Sequence, residues 1–121
     1  MISLKKLLFE HLAFKGTSPS GSPILTTTGN RTYVGSKVSG SPLYTVHGNK
    51  LFKGTTSSGS PLATLVGDLL FKGNMVSGMP IARLVHTKSY KGTAVSGSPL
   101  VTVPSGDLVT LMAATYHVLF E

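Results

Sequence analysis

The chain has 121 residues, with 11 Lys and Arg against 4 Asp and Glu, a formal net charge of +7 and no cysteine. Its composition, 40% hydrophobic and only 12% charged, excludes a solvated disordered polymer, which needs low hydrophobicity and high charge, and predicts a single folded domain over residues 1–121. A disulfide framework and a thiolate metal site are excluded as well, while the positive balance favours acidic partners.

The chain opens on MISLKKLLFEHLAFKG, where Glu10 and His11 interrupt the apolar run too soon for a signal peptide or a membrane span. The default expectation is a cytoplasmic protein, with a virion or non-classical export as the alternatives. From Leu12 onward the sequence repeats itself. Lys15-Gly16, Val34-Gly35, Lys53-Gly54, Lys72-Gly73 and Lys91-Gly92 recur every 19 residues, as do blocks of the SGSP type beginning at Ser20, Ser39, Ser58, Ser77 and Ser96. A fixed period of this kind marks a repeat architecture. Five units follow, at residues 12–30, 31–49, 50–68, 69–87 and 88–106, and residues 107–121, which lack the glycines, read as a closing or capping segment.

Two turn signals punctuate each unit. Gly29-Asn30, Gly48-Asn49 and Gly67-Asp68 suit two-residue type II′ hairpins, because glycine takes the positive φ of the first turn position. In the SGSP block glycine permits an unusual backbone angle, and proline opens a strand without needing a ladder donor. Between the turns lie short runs of Val, Leu, Thr, Phe and Tyr with strand character. The fold class is therefore all-β, five tandem 19-residue β-hairpin repeats with roughly ten to twelve short strands.

If Gly67-Asp68 is a two-residue turn, Val66 pairs with Leu69, Leu65 with Leu70, Thr64 with Phe71 and Ala63 with Lys72. One face then carries Leu62, Thr64, Val66 and Phe71, and the other carries Ala63, Leu65 and Leu70. Two partly apolar faces are incompatible with a lone sheet wet on one side. The arrangements open to such units are a pseudo-symmetric hairpin array, a closed barrel, or stacking on a second chain. The glycine after each aromatic residue is expected to leave room for a ring to lie over bare backbone.

The stretch KGNMVSGMPIARLV, residues 72–85, resembles short bacterial repeat proteins built from SGxPIATIxG units, and the likeness extends from Leu12 to Gly106. It implies a compact β-hairpin repeat and carries over no catalytic residue. Val34 in place of the lysine, Met79 in place of a serine and His86-Thr87 in place of Gly-Asn are departures from the pattern.

Lys15, Lys53, Lys72 and Lys91 share one repeat position and form the candidate anion-binding set, since equivalent positions in a symmetric array point in equivalent directions. Arg31, Lys50 and Lys88 share a second column near the hairpin turns. The plainer alternative is that such lysines blunt strand edges and keep the chain soluble. The column Thr26, Thr45, Thr64 and Thr102 offers hydroxyls to a polar ligand, although threonine is also a good strand former. Phe14, Tyr33, Phe52, Phe71 and Tyr90 offer rings for stacking, and core packing is the commoner use of such a column.

A phosphate loop fails on its mechanism, because the G-x-x-x-x-G of each unit is followed by Ser-Pro or Met-Pro rather than Lys-Ser/Thr and a helix. Glu10, Asp68, Asp107 and Glu121 are scattered, and His11, His47, His86 and His117 keep no metal-ligand spacing. With no G-x-S-x-G elbow either, no catalytic, cofactor-binding or metal-binding residue is expected, and the protein reads as a non-enzyme. The function expected is a structural or interaction module that self-associates into a homo-oligomer. The alternative is multivalent binding of an acidic glycan or other polyanion, with nucleic acid a less favoured partner.

Overall fold

The computed structural model describes residues 10–17, 22–35, 40–55, 59–74, 78–93 and 97–121. The ten strands are β1 (Glu10–Lys15), β2 (Leu25–Thr28), β3 (Arg31–Val34), β4 (Tyr44–His47), β5 (Lys50–Lys53), β6 (Ala63–Val66), β7 (Leu69–Lys72), β8 (Ala82–Val85), β9 (Lys88–Lys91) and β10 (Val101–Thr102), followed by α1 (Leu108–Phe120). They close into one antiparallel barrel in chain order, with β1 against β10. Of the open arrangements, the closed barrel is the one adopted, and the predicted pairing of β6 with β7 holds residue for residue.

The turns follow from backbone chemistry. Gly29, Gly48 and Gly67 have φ of 63°, 64° and 64°, and the residues after them stay at negative φ, which is the type II′ pattern. Where the fourth turn has His86 instead, that histidine takes φ 57°, so tertiary pairing imposes the left-handed conformation on a residue that disfavours it. Gly54 corrects the expectation of a ring over bare backbone. It has φ +73°, and a Cβ added there would meet nothing within 4 Å. The glycine serves the turn, not the packing of Phe52.

Alternation divides each strand between two environments. The inward rows, including Leu25, Val46, Leu51, Ala63, Leu65, Leu70, Leu84 and Val101, form one buried cluster with the helix. On the outward rows, Phe14, Phe52 and Phe71 are also buried. Beside them the repeated threonines are buried and bonded. Thr45 Oγ1 donates to the Gly54 carbonyl at 2.6 Å, Thr64 Oγ1 to Gly73 at 2.8 Å and Thr102 Oγ1 to Gly16 at 2.6 Å. Thr26 donates likewise to Gly35. In the fourth unit Arg83 replaces the threonine, and its Nη1 reaches the Thr93 carbonyl at 3.0 Å.

Residues 107–121 form a helix inside the barrel. Asp107 caps its N-terminus by accepting from the Thr110 amide at 3.1 Å and the Thr110 hydroxyl at 2.8 Å. Seven successive residues, Thr110 to Tyr116, are buried. At 3.6 residues per turn such a run faces every direction, so the helix is walled on all sides. Eight strands leave a lumen that side chains alone can fill. Ten strands leave more, and α1 occupies it, with Leu111 and Met112 contributing about 1.5–3 kcal/mol each by full burial.

The helix sits off the barrel axis for a reason written in one repeat position. The inward residues equivalent to Leu70 are Ala13, Thr32, Leu51 and Ser89. The helix packs mainly on β1 to β4 and on β8 to β10, the strands bearing the small Ala13, Thr32 and Ser89. Leu51 and Leu70 fill the opposite side. Thr115 Oγ1 donates to Ser89 Oγ at 2.7 Å across this close approach.

Ring closure is the work of the chain's first described strand. The residues of the fifth hairpin are divided between the two ends of the ring, β10 and β1, which pair as Phe14 with Thr102 and Lys15 with Val101. By the 19-residue period, Ser105 and His11 hold the positions that Gly67 and Asp68 hold in an intact turn. No peptide bond joins them. Instead Ser105 Oγ and His11 Nδ1 are hydrogen-bonded at 2.7 Å, and Asp107 Oδ1 lies 3.8 Å from His11 Nε2.

Candidate anion-binding rim

The two mouths of the barrel differ chemically. At one mouth lie the hairpin turns and the helix N-terminus. At the other, each strand carrying the aromatic residue ends and runs into the SGSP segment. Lys15, Lys53, Lys72 and Lys91 are the last residues of β1, β5, β7 and β9, and Val34 closes β3 at the fifth equivalent place. All five are exposed. Their strand partners are Val101, Tyr44, Ala63, Ala82 and Leu25, all inward core residues. The four lysines therefore stand on the lumen-facing row just beyond the last filled layer, and form a crown around the mouth.

The end of α1 emerges inside this crown. Lys72 Nζ lies 4.6 Å from the centroid of the Phe120 ring, which packs on Tyr116 at 4.8 Å. Two clefts lie between helix and wall. One, of about 310 Å³, is lined by Pro80, Ile81, Lys91, Gly92, Leu119 and Phe120. The other, of about 330 Å³, is lined by Lys15, Ile24, His117, Val118 and Glu121. The negative end of the helix dipole faces the ammonium groups and stabilises them there.

The two mouths differ in net charge. Asp68 and Asp107 lie at the turn mouth, where Arg31, Lys50 and Lys88 begin their strands and offset them. Asp68 also pairs with Arg83 Nε at 3.2 Å. The lysine mouth faces Glu121 alone among the described acids. Tyr44, whose hydroxyl is 3.0 Å from His117 Nδ1, has its phenol pKa pushed well above the usual range by burial, with the charge of Glu121 and Tyr116 adding to it. Tyr116 is raised in the same direction by burial and then Glu121.

The sequence-derived columns thus part company. The lysine column gathers at one mouth, and the Arg31, Lys50 and Lys88 column at the other. The threonine column is withdrawn from any ligand, since its hydroxyls are buried and donate to glycine carbonyls. Of the aromatic column, Phe14, Phe52 and Phe71 are core, and Tyr33 and Tyr90 are half-buried. Sequence reasoning did not anticipate the contribution of Val118, Leu119 and Phe120 to the lysine mouth, or the grouping of Ser105, His11 and Asp107. The second was encoded in the 19-residue arithmetic. It is accounted for as the divided turn, and neither cleft borders it.

An antiparallel barrel of short repeated hairpins around the helix α1 defines a β-repeat class of protein. The chain belongs to the family described as 6-fold beta flower protein, whose model matches residues 11–120. That description counts six folds, whereas this barrel closes with five strand pairs. No curated protein and no solved structure matches the chain.

Proposed function

We propose that the protein is a non-catalytic repeat scaffold that binds a polyanionic partner through its lysine mouth. The observation that carries this reading is the convergence of four lysines on one mouth, where Glu121 is the one described acid, while Asp68 and Asp107 lie at the other among Arg31, Lys50 and Lys88. Equivalent cations on a rigid ring engage a repeating anion several at a time, which multiplies weak contacts and makes binding salt-dependent. The test is retention on immobilised heparin at physiological ionic strength. Retention should be lost when Lys53, Lys72 and Lys91 are replaced by Ala, and an unchanged elution position would refute the reading.

Self-association is the second reading. Its original motive, a second apolar face in need of a cover, is met within the chain by α1. What still favours it is the exposure of Val34, Met79 and Phe120 at the lysine mouth. Two such mouths meeting head to head would bring like charges together, an arrangement that opposes association. Light scattering across concentration and salt decides. A monomer at all conditions removes this reading, and a dimer that tightens with salt supports it.

A further inference from the structure

Resting on the lysine-mouth reading, we infer that the polyanionic partner is an anionic lipid surface, on which the barrel stands with its lysine mouth down. The inference comes from what the crown encloses. A soluble polymer of sulfates or phosphates needs only cations, but the centre and edge of this mouth are apolar. Met79 is 82% exposed, Val34 65% and Phe120 41%, and the partly buried Val118 and Leu119 lie beside the last of these. Lysines ringing exposed apolar side chains match the two layers of a membrane interface, with anionic headgroups outside and acyl chains beneath.

The protein would lie on such a surface and not cross it. Among the described residues the longest strand has six residues, against about nine to eleven for a membrane-spanning strand. Among the described residues no helix is long and apolar enough to cross.

The experiment is co-sedimentation with vesicles of phosphatidylcholine alone and of phosphatidylcholine mixed with phosphatidylglycerol, run beside heparin retention. The protein should pellet with the anionic vesicles only and be released by salt, and each Lys→Ala change in the crown should lower the partition coefficient about fivefold. Met79→Ser is the decisive variant. The other four units carry serine at this place, namely Ser22, Ser41, Ser60 and Ser98, so the change is compatible with the fold. It should weaken vesicle binding and leave heparin retention unaltered. Heparin retention without vesicle binding would overturn the lipid inference and keep the polyanion reading. Failure in both assays would overturn both, and vesicle binding indifferent to Met79→Ser would overturn the apolar part of the argument.

Discussion

Replacing Gly54 by Ala and, separately, by Asn separates two explanations of the repeated Lys-Gly step. Gly54 lies at φ +73° with open space where a Cβ would go. Its amide donates to the Leu43 carbonyl at 2.7 Å, and its carbonyl accepts from Thr45. Neither substitution removes these bonds, so backbone conformation is the quantity perturbed. A left-handed alanine costs about 1–2 kcal/mol, offset by about 0.4–1 kcal/mol from the stiffer unfolded chain. The net loss of about 1 kcal/mol corresponds to roughly 3–6 °C in Tm for a chain of this size. Asparagine tolerates the left-handed region better, so Gly54→Asn should be less destabilised than Gly54→Ala despite its greater bulk. Thermal unfolding followed by circular dichroism gives the order. If Asn proves worse than Ala, side-chain volume governs the site, and the conformational argument fails. The converse substitution, His86→Gly, relieves a non-glycine residue at φ 57° and should raise Tm.

Two further outcomes follow from the lumen. Thr27 and Thr32 face each other across β2 and β3, are fully buried, and have hydroxyls with no hydrogen-bond partner. Thr32→Val removes a desolvated polar group whose burial costs about 1–3 kcal/mol, so it should stabilise the protein against urea; a clear loss of stability would show that the hydroxyl is bonded. Tyr44 and Tyr116 hold their phenol protons more tightly when folded than the ordinary value of 10.0. Their contribution is complete below pH 10 and declines as pH rises above it, because the unfolded chain releases those protons first. Tm should fall on the alkaline side, with a shallower fall in Tyr44→Phe. Parallel falls in both proteins would count against this assignment.

The barrel wall was legible in the sequence because turn chemistry and alternation agree in the three units that carry Gly29-Asn30, Gly48-Asn49 and Gly67-Asp68, and the 19-residue period extends the pattern to the rest. The pairing of Ala63 to Val66 with Leu69 to Lys72 needed only the position of Gly67-Asp68. The lysine crown was legible for the same reason, since one repeat position becomes one ring. The helix was not. Thr110 to Tyr116 is buried all round and shows no apolar stripe against a polar face, which is the feature that identifies a helix on a protein surface. The clefts were hidden with it, because Leu119, Phe120 and Val118 supply one wall of each. The small inward residues Ala13, Thr32 and Ser89 did announce that something must fill the space before them. That signal has meaning only once the strands are known to close.

The divided turn at Ser105 and His11 gives the barrel a single place where continuity is not covalent. Those residues are 94 positions apart, so closing the ring requires the two ends of the repeat array to find each other, a late and entropically costly step relative to the local hairpins. The slot between β10 and β2 is specific for the β1 sequence but indifferent to which molecule supplies it. A β1 supplied by a neighbouring chain would make the same hydrogen bonds and bury the same Ala13 and Phe14, so that reciprocal exchange would yield a closed pair and one-way exchange an open chain of barrels.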